Sequence, residues 1–318
     1  MLYEKPRLVI YHGQCFDGTT AAWLLWTYFG SGDTDYCPCI YGPKNPFPET
    51  KAKEIYIVDY SFARPTMEQA LKDGKDMILI DHHKTAIEEL SDMPGIRKLL
   101  NVDKSGASLT LQYMLENLDF TRRKAPSSDV LSNLKRFAYL VEDRDLFRFA
   151  DPRSKAFTAR QSVADMTFDG WSDLFADFST SEDQFVKEGS LILAAHNTNI
   201  AKFIENNLIT LKLFGHTIPM LNVPKEYGSD ACHELLRRMP ESPFAMYYYD
   251  DALSYTKGSY IGIRARNGSP VSVDPLARRF EGGGHAKAAA FRTTLDRVRM
   301  LEHDMNLWEQ MCPGGKFV

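Results

Sequence analysis

Short runs of strand-forming residues recur through the first third of the chain. Three of them have the same form, with four or five consecutive and mostly apolar residues: Leu8–Tyr11, Glu54–Val58 and Met77–Ile80. These runs lack the alternation of a strand that has one solvent-exposed face. They suit strands buried on both faces, as in a parallel sheet covered by helices. The pattern therefore predicts three buried strands of one α/β sheet.

Helix-forming segments follow these runs after short polar gaps. We expect helices over Thr20–Phe29, from Arg64 to about Asp73, over Ser105–Met114 and near Val130–Val141, with a further strand at Ile96–Val102. Strand–helix alternation of this kind is typical of a doubly wound, mainly parallel sheet, which gives an α/β fold class. In such sheets ligands gather beyond the carboxyl ends of the strands.

One long segment without turn signals, Ser181–Asn207, follows the part of the chain with strand–helix alternation and precedes a strand-rich part. Ser181 is a suitable N-cap and acidic residues occupy the first turn, so we predict a continuous connector helix. The chain beyond it is strand-rich, which indicates a smaller α+β domain. The predicted division is 1–180, 181–207 and 208–318. In the last part we expect strands at Ile209–Phe214, Thr217–Asn222, Phe244–Tyr249 and Ser259–Ala265, and helices near Asp230–Met239, Pro275–Phe280 and Leu295–Met311.

Composition narrows the class of protein without changing this organisation. With 318 residues the chain is long enough for two domains, and 44% hydrophobic and 25% charged residues are ordinary for a globular protein. The formal net charge of −4 gives no global basic field, so we do not expect tight binding of long duplex nucleic acid. A small anionic ligand in one local site remains compatible with this charge.

The lengths of the apolar runs and the number of cysteines help to predict the cellular location of the protein. The sequence contains no run of about 18 apolar residues and no leader-like start, so we expect a cytoplasmic protein with no membrane association. The five cysteines are odd in number and lack zinc-type spacing. We interpret Cys37 and Cys39 as unpaired loop cysteines.

Acidic and imidazole side chains follow the three predicted strands. A single aspartate after a strand more often caps a helix, but adjacent histidines in an extended segment point to opposite faces and need separate partners. Their joint occurrence favours a metal site, and this donor set suits Mn²⁺, with Zn²⁺, Fe²⁺ or Co²⁺ harder to exclude. Two ions bridged by Asp59 can support an in-line phosphoryl displacement. The residues concerned are His12, Asp17, Asp59, Asp81, His82 and His83.

A second candidate site lies near the C-terminus, in the segment Phe280–Phe291. Its three consecutive glycines leave backbone N–H groups open to an anion, and the Ala-Lys-Ala-Ala-Ala sequence that follows favours a helix whose N-terminus would attract phosphate. His285, and Arg264 from a predicted strand, can add charged contacts. Because this segment belongs to the other predicted domain, we expect the substrate to bind in a cleft between the two.

The order of these motifs resembles the DHH phosphoesterase superfamily with its DHH-associated C-terminal domain. The resemblance runs from residue 8 to about residue 292. Relatives in that superfamily include oligoribonucleases, phosphoadenosine phosphate phosphatases, cyclic-dinucleotide phosphodiesterases and single-strand DNA exonucleases. The matching segments are His12 with Asp17-Gly18, Val58-Asp59-Tyr60-Ser61, Asp81-His82-His83, Val141-Glu142-Asp143 and Gly282-Gly283-Gly284-His285.

The resemblance implies a role for each matching residue. Asp59 would bridge two Mn²⁺ ions, with His12 on one ion; the ligands of the other would be Asp17, His82 and Asp143. His83 would face the scissile phosphate, and Asp81 would orient an imidazole as a catalytic partner. The nucleotide would be held by Arg264, Gly282, Gly283, Gly284 and His285. Mg²⁺, Co²⁺ or another divalent ion is an alternative to Mn²⁺.

Departures from the family pattern leave alternatives open. Where the family commonly has a carboxylate two residues before the aspartate, this sequence has Cys15. Either a thiolate replaces the carboxylate and shifts the preference toward softer ions, or Cys15 only packs, and the first metal site is then weak or filled only with substrate. Glu281 adds a negative charge beside the glycines, and Ala290 stands where glycine is usual. Asp145 follows the same predicted helix as Asp143 and is an alternative ligand.

The expected function is a manganese-dependent phosphodiesterase that hydrolyses short RNA or DNA oligonucleotides or cyclic dinucleotides by two-metal hydroxide attack. A phosphomonoesterase acting on nucleoside bisphosphates is the nearest alternative, because the same metals serve both reactions. A nucleotide-binding module without turnover is the more distant one, and it is suggested by Cys15. The sequence leaves both a monomer and a homodimer open.

Overall fold

The computed structural model describes residues 2–41, 46–120, 126–250 and 258–315. The chain divides into two compact units, Met1–Leu193 and Ala194–Val318. Each unit has its own sheet and its own hydrophobic core. Within the described ranges, no helix combines the length and the apolar character needed to cross a membrane.

The first unit contains a five-stranded, fully parallel sheet. Its strands are β1 (Arg7–His12), β2 (Thr34–Cys39), β3 (Glu54–Val58), β4 (Asp76–Asp81) and β5 (Arg97–Leu100), in the spatial order β2-β1-β3-β4-β5. The predicted α/β class with a mainly parallel sheet is confirmed. Strands β1, β3 and β4 are buried on both faces of the sheet. This burial explains why their sequences are continuous apolar runs and do not alternate.

Strand β2 is absent from the sequence prediction, and it corrects one interpretation. Cys37 and Cys39 are buried on this strand and do not lie in a loop; their Sγ atoms are 3.7 Å apart and both are free thiols. Pro38 lies between them, which is tolerated because β2 is an edge strand of the sheet. The proline and the polar start of the strand hide it from pattern analysis.

Helices cover both faces of this sheet. The core on one face includes Val9, Val58 and Ile80, and the core on the other includes Leu8 and Ile57. The alternation of these residues between two cores shows that the sheet is a middle layer. The helices of the unit are α1 (Phe16–Phe29), α2 (Arg64–Lys72), α3 (Lys84–Leu90), α4 (Gly106–Asn117), α5 (Ser128–Asp145), α6 (Ser154–Gln161) and α7 (Phe168–Thr180).

The long predicted helix is present as α8 (Glu182–Asn207), with 26 residues. Ser181 caps it, since the amide of Gln184 donates to the Ser181 Oγ at 3.2 Å. The division between the two compact units falls within this helix, after Leu193.

The second unit contains a six-stranded mixed sheet in the order β10-β11-β9-β8-β7-β6. Among the strand pairs of the described residues in this sheet, only β7–β8 is parallel, and the other pairs are antiparallel. The strands are β6 (Leu208–Leu213), β7 (His216–Asn222), β8 (Phe244–Tyr249), β9 (Ser259–Ala265), β10 (Gly283–Gly284) and β11 (Ala288–Thr293). The helices are α9 (Lys225–Arg238), α10 (Asp274–Arg278), α11 (Leu295–Arg299) and α12 (Met305–Met311).

The helix predicted after the three glycines is wrong, because Ala288–Thr293 forms strand β11. Alanine favours a helix, but Ala289, Phe291 and Thr293 are buried in alternation and the strand pairs with both β9 and β10. Tertiary pairing therefore overrides local propensity. The helix predicted near Leu295–Met311 is also divided into two, with Asp304 capping the second through the Leu307 amide at 3.0 Å.

Candidate metal centre

Three neighbouring parallel strands of the first unit end at one edge of the sheet and bring acidic and imidazole groups together. His12 ends β1, Asp59 directly follows β3, and His82 and His83 directly follow β4. The Asp59 Oδ2 lies 3.4 Å from His12 Nδ1, and the Asp59 Oδ1 lies 3.1 Å from His82 Nε2 and 3.8 Å from His83 Nδ1. Asp59 is therefore the centre of the group.

Asp59 is held there in an unusual backbone conformation. Its φ is +53°, in the left-handed region that aspartate visits more readily than most residues, and its amide donates to the Ile80 carbonyl at 2.9 Å. Two glycines allow helices to approach it closely: a Cβ on Gly106 would lie 2.5 Å from the Asp59 Cβ, and one on Gly18 would lie 3.0 Å from the Asp59 Oδ2. The surrounding chain is thus built tightly around this carboxylate.

Both carboxylate oxygens of Asp59 are buried without a hydrogen-bond donor in the part of the chain that the structure describes. The residue is 1% exposed, and the imidazoles of His12 and His82 lie beside its oxygens without forming a hydrogen bond to them. Burial of a carboxylate that lacks hydrogen bonds costs several kcal/mol. The His12 Nδ1 is likewise buried without a hydrogen bond among these residues. Oxygen and nitrogen donors that converge and lack hydrogen-bond partners fit a divalent cation.

The donor atoms form three overlapping groups in which all atoms lie within 4.8 Å of one another. Asp59 belongs to two of the groups and His82 to two. This arrangement fits two adjacent ions that share ligands. The groups are His12, Cys15 and Asp59; Asp59, His82 and His83; and Asp17, His82 and Asp145.

Asp17 lies in the first turn of α1 and is fixed by the start of another helix. Its carboxylate accepts hydrogen bonds from the amides of Gly106 at 2.6 Å and Ala107 at 2.9 Å, at the N-terminus of α4. Its Oδ2 lies 3.8 Å from His82 Nε2. Burial, together with the nearby carboxylates of Asp59 and Asp145, raises the pKa of Asp17 well above its ordinary value.

The histidines respond to this negative charge in the opposite direction. Burial disfavours a charged imidazole at His82, but Asp59, Asp145 and Asp17 outweigh it and raise the pKa of His82 to about 10. Burial also opposes ionisation of Asp59, but contacts with His12 and His82 lower the pKa of that carboxyl. The carboxylates around the imidazoles therefore favour a positive charge at this position, which either a protonated imidazole or a bound metal cation can supply.

The structure brings Asp145, and not Asp143, to this group. The Asp145 Oδ2 lies 3.5 Å from His82 Nε2, and its side chain is 26% exposed. The Asp143 carboxylate accepts hydrogen bonds from the amides of Ala150 at 2.8 Å and Asp151 at 3.1 Å, and from the Ser154 hydroxyl. Residues two apart on a helix point in nearly opposite directions, so only one can face the site. The geometry favours the alternative ligand that the sequence left open.

Asp143 instead shapes the loop after α5, which sequence analysis did not single out. Phe147 and Phe149 have φ values of 54° and 49°, a conformation that is costly for aromatic residues. Their ring centroids are 4.5 Å apart, and the Arg144 guanidinium lies 5.1 Å and 5.3 Å from them. The hydrogen bonds to Asp143 hold this strained loop beside Asp145.

Asp81 is positioned to orient His83. Its Oδ1 lies 2.7 Å from the His83 Nδ1 and accepts hydrogen bonds from the amides of His82 at 2.7 Å and His83 at 3.1 Å. A carboxylate at Nδ1 places the proton there and directs Nε2 outward as the other functional nitrogen. Burial opposes protonation, but Asp81 and Asp59 raise the pKa of His83.

Cys15 lies at the N-cap of α1, within the donor group of His12 and Asp59. Its position is therefore compatible with the prediction that a thiolate replaces the expected carboxylate. Burial, with the carboxylates of Asp59, Asp145 and Asp17, raises the pKa of the Cys15 thiol well above its ordinary value. A cation would have to displace the thiol proton before sulfur could bind it.

The second candidate site forms a hairpin at one end of the other sheet. Gly283 and Gly284 form β10, opposite Ala289 and Ala290 of β11. The turn is closed by the His285 amide, which donates to the Ala288 carbonyl at 2.7 Å. In the register of β11 and β9, Ala288 is paired with Arg264. The predicted glycines, His285 and Arg264 thus belong to one region of the second unit.

Polar contacts within this region are largely internal. The Arg264 Nε donates to the Ser229 Oγ at 3.1 Å, and its guanidinium carbon lies 5.9 Å from the Tyr247 ring centroid. Lys287, which follows the glycines in the turn, donates to the Val271 carbonyl at 2.7 Å. Glu281 is exposed with a φ of +60°. Binding of a nucleotide by this hairpin remains a prediction.

Comparison with known proteins identifies the fold. No family model matches the sequence. An uncharacterized protein of Acanthamoeba polyphaga mimivirus is 26% identical over 303 residues, which cover 90% of this chain and 67% of that protein. Among solved structures, the DHH domain of a member of a family of ribosomal proteins is similar over 97% of this chain and 87% of that one, with a TM-score of 0.59 and 12% identity.

A second solved structure points to the same class. RecJ from Thermus thermophilus, in complex with Mn²⁺, is similar over 95% of this chain, with a TM-score of 0.56 and 12% identity. The match spans 52% of the RecJ chain. The protein therefore has the fold of DHH-domain proteins, as its motifs predicted.

Proposed function

We propose that this protein is a metal-dependent phosphoesterase, and more specifically a manganese-dependent phosphodiesterase of short oligonucleotides or cyclic dinucleotides. The observation that carries the proposal is the Asp59 carboxylate, which is buried, has no hydrogen-bond donor among the described residues and lies between His12 and His82. A structural aspartate would have satisfied its oxygens with amides, as Asp143 does.

The residues that would hold two divalent ions are those of the three overlapping groups other than His83, whose Nδ1 is engaged by Asp81. Asp59 would be shared, with His12 and Cys15 on one side and Asp17, His82 and Asp145 on the other. Bound there, the ions would polarise a phosphoryl oxygen and lower the pKa of water. The donor set suits Mn²⁺, and the Mn²⁺ of the RecJ complex supports that choice.

His83 and Asp81 supply the protein's own part of the chemistry. Asp81 holds the His83 Nδ1 at 2.7 Å, so that the imidazole presents Nε2 in one orientation. In the doubly protonated form of His83, which its raised pKa favours, Nε2 would donate a hydrogen bond to the scissile phosphate and stabilise negative charge that develops during the reaction. Because the imidazole is fixed in advance, little reorganisation is needed when that charge appears.

The size of the substrate follows from charge. The net charge of −4 does not favour a long polyanion, whereas one local site can accept the few phosphates of a short oligonucleotide. We propose that the glycine hairpin with His285, and Arg264, hold the part of the nucleotide remote from the reacting phosphate. Backbone amides and a guanidinium are suitable donors for that purpose.

The direct test is a mass-resolved screen of the protein against pooled short RNAs, cyclic dinucleotides, nucleoside bisphosphates and polyphosphate, with and without Mn²⁺. We expect Mn²⁺-dependent hydrolysis of a phosphodiester among the short RNAs or cyclic dinucleotides. Absence of turnover on all four classes, with the protein folded and loaded with metal, would refute the proposal.

One observation favours a second candidate, a nucleotide-binding module without turnover. Cys15 occupies a position among the metal donors, and burial raises its thiol pKa well above the ordinary value. A thiol that stays protonated would weaken one of the two ion sites. The screen and a binding measurement together separate this candidate from the first. A binding module without turnover would bind nucleotides in calorimetry and would give no product in the screen. Release of phosphate from bisphosphates alone would instead indicate a phosphomonoesterase.

A further inference from the structure

Tyr41 is an aromatic residue of the metal centre that no motif marks. It follows the edge strand β2, and the residue is 45% exposed. Its ring is close to two of the three histidines around Asp59, His12 and His83. The ring centroids of Tyr41 and His12 are 5.2 Å apart, and those of Tyr41 and His83 are 5.6 Å apart.

The Tyr41 ring is held in place by the motif that follows β3. It stacks on the buried Tyr60, with the centroids 4.5 Å apart and the planes at 29°. The Tyr41 hydroxyl accepts a hydrogen bond from the Ser61 amide at 3.2 Å. Asp59, Tyr60 and Ser61 are consecutive, so the segment that carries the central carboxylate also fixes this ring.

Both imidazoles meet the tyrosine at steep angles. The planes of Tyr41 and His12 are at 70°, and those of Tyr41 and His83 are at 66°. These edge contacts, with Tyr60 stacked on the ring, orient it while almost half of its surface stays open to solvent. A rigid aromatic surface of this kind binds a planar ligand at low entropic cost.

We propose that Tyr41 forms a nucleobase-binding subsite by stacking on the base of the nucleoside next to the scissile phosphate. This inference rests on the proposed phosphodiesterase function. In a nucleotide only the sugar separates the base from the phosphate. A phosphate that contacts His83 therefore brings its base near the neighbouring ring. Aromatic side chains stack on any base, so the subsite selects nucleosides over other phosphate esters without selecting a base.

The competing explanation is that Tyr41 has only a structural role, packing on Tyr60 at the surface of the hydrophobic core. In that case its removal would lower the stability of the protein but would affect all phosphodiester substrates equally. Stacking, in contrast, matters only where a base is present. The two explanations are therefore separated by substrates that differ in one base and in nothing else.

The experiment compares Tyr41→Leu with the matched variant Tyr41→Phe, which keeps the ring and loses the hydroxyl. The substrates are a dinucleotide and two counterparts in which one nucleoside or the other is replaced by an abasic sugar. The value of kcat/KM is measured for each, and melting temperature for each protein. In parallel, calorimetry gives the Kd of the same three compounds with a methylene phosphonate in place of the scissile ester, so that binding is read without turnover.

Tyr41→Leu is expected to lower kcat/KM and affinity for the dinucleotide roughly 10-fold to 100-fold, because stacking contributes about 1–3 kcal/mol per base. For the abasic compound that lacks the stacked base, Tyr41→Leu should change neither kcat/KM nor affinity. Tyr41→Phe should resemble the wild type on all three compounds. Equal losses on the dinucleotide and both abasic compounds would overturn the subsite.

The binding arm keeps this inference distinct from the proposed function. If the wild type binds the phosphonate dinucleotide but hydrolyses nothing, the phosphodiesterase proposal fails, while a selective loss of affinity in Tyr41→Leu still supports the subsite. If the wild type hydrolyses the dinucleotide and Tyr41→Leu does so equally well, the subsite fails and the function stands.

Discussion

The two regions that the sequence marked as functional differ in how their polar groups are satisfied. At the sheet edge of the first unit, Asp59 is buried and its oxygens lack hydrogen-bond donors among the described residues. In the hairpin of the second unit, Gly283, Gly284 and His285 are exposed, and backbone pairing between β10 and β11 organises them.

This difference fits the two kinds of binding that we propose. A buried carboxylate whose oxygens lack hydrogen-bond donors among the described residues is costly unless a cation is present, so the first region fits a metal. An exposed hairpin is stable by itself, and any ligand contacts it offers are additional. Loss of a residue should therefore abolish chemistry in the first region and should weaken substrate affinity in the second.

The largest effect is expected for Asp59→Asn. A carboxamide keeps the volume but loses the negative charge that two ions would share, and metal stabilisation of a phosphoryl transition state amounts to several kcal/mol. We expect activity to fall by roughly 1000-fold or more and bound metal to approach zero. Activity assays and mass spectrometry of the metal content check this.

The control for this change is Asp33→Asn, an exposed aspartate of the same unit, which should leave both values unchanged. A fully active Asp59→Asn protein with its normal metal content would show that the central carboxylate has another role.

The next effect separates two acids on one helix. Asp145→Asn should reduce metal affinity by at least about tenfold with little loss of stability, because the side chain faces His82 and is partly exposed. Asp143→Asn should instead cost about 1–3 kcal/mol of unfolding free energy, because a buried acceptor of backbone amides is replaced. Metal titration and urea unfolding of both variants provide the measurement. The reverse assignment of effects would restore Asp143 as the ligand.

A matched pair of glycines tests the hairpin. Gly282→Ala should destabilise the protein by about 1–3 kcal/mol, because its Cβ would lie 2.2 Å from the Ala290 carbonyl oxygen. Gly283→Ala should change stability little, because no atom of the described residues lies within 4 Å of a Cβ at that position. If the hairpin binds the nucleotide through its amides, Gly283→Ala should raise KM. Unfolding curves and steady-state kinetics distinguish the pair, and an unchanged KM would argue against the hairpin as a binding surface.

The smallest effect is expected for His285→Ala. His285 is exposed, so its hydrogen bond to a phosphate replaces one to water and should contribute about 0.5–1.5 kcal/mol. KM should therefore rise by roughly twofold to tenfold while metal content stays the same. The contrast with Asp59→Asn is the informative result, because the two regions should respond in different quantities. Loss of metal in His285→Ala would mean that this loop belongs to the metal centre.

The candidate ligands are predictable because two independent signals coincide on the same residues. Apolar runs identify β1, β3 and β4, and parallel strands in a doubly wound sheet place their carboxyl ends at one edge. The sequence therefore places His12, Asp59 and His82 at one edge of the sheet, and the observed order of β1, β3 and β4 makes them neighbours. The motif order adds the resemblance to DHH proteins, and the observed fold is that of DHH-domain proteins.

Other features escape pattern analysis for identifiable reasons. The edge strand β2 contains Pro38 between two cysteines, so neither an apolar run nor an alternation marks it, and Tyr41 is missed with it. The alanine-rich strand β11 has the local propensity of a helix, and propensity alone cannot detect its pairing with β9 and β10.

By itself, the sequence determined the α/β class, the long helix α8 and most of the residues that converge on Asp59, because period, polarity and order along the chain carry that information. Only the tertiary structure decided that Asp145 faces His82 while Asp143 serves the loop, and that Asp59 keeps its oxygens without hydrogen-bond donors among the described residues. These outcomes depend on the phase of a helix and on the positions of backbone amides distant in the chain. No local pattern encodes either.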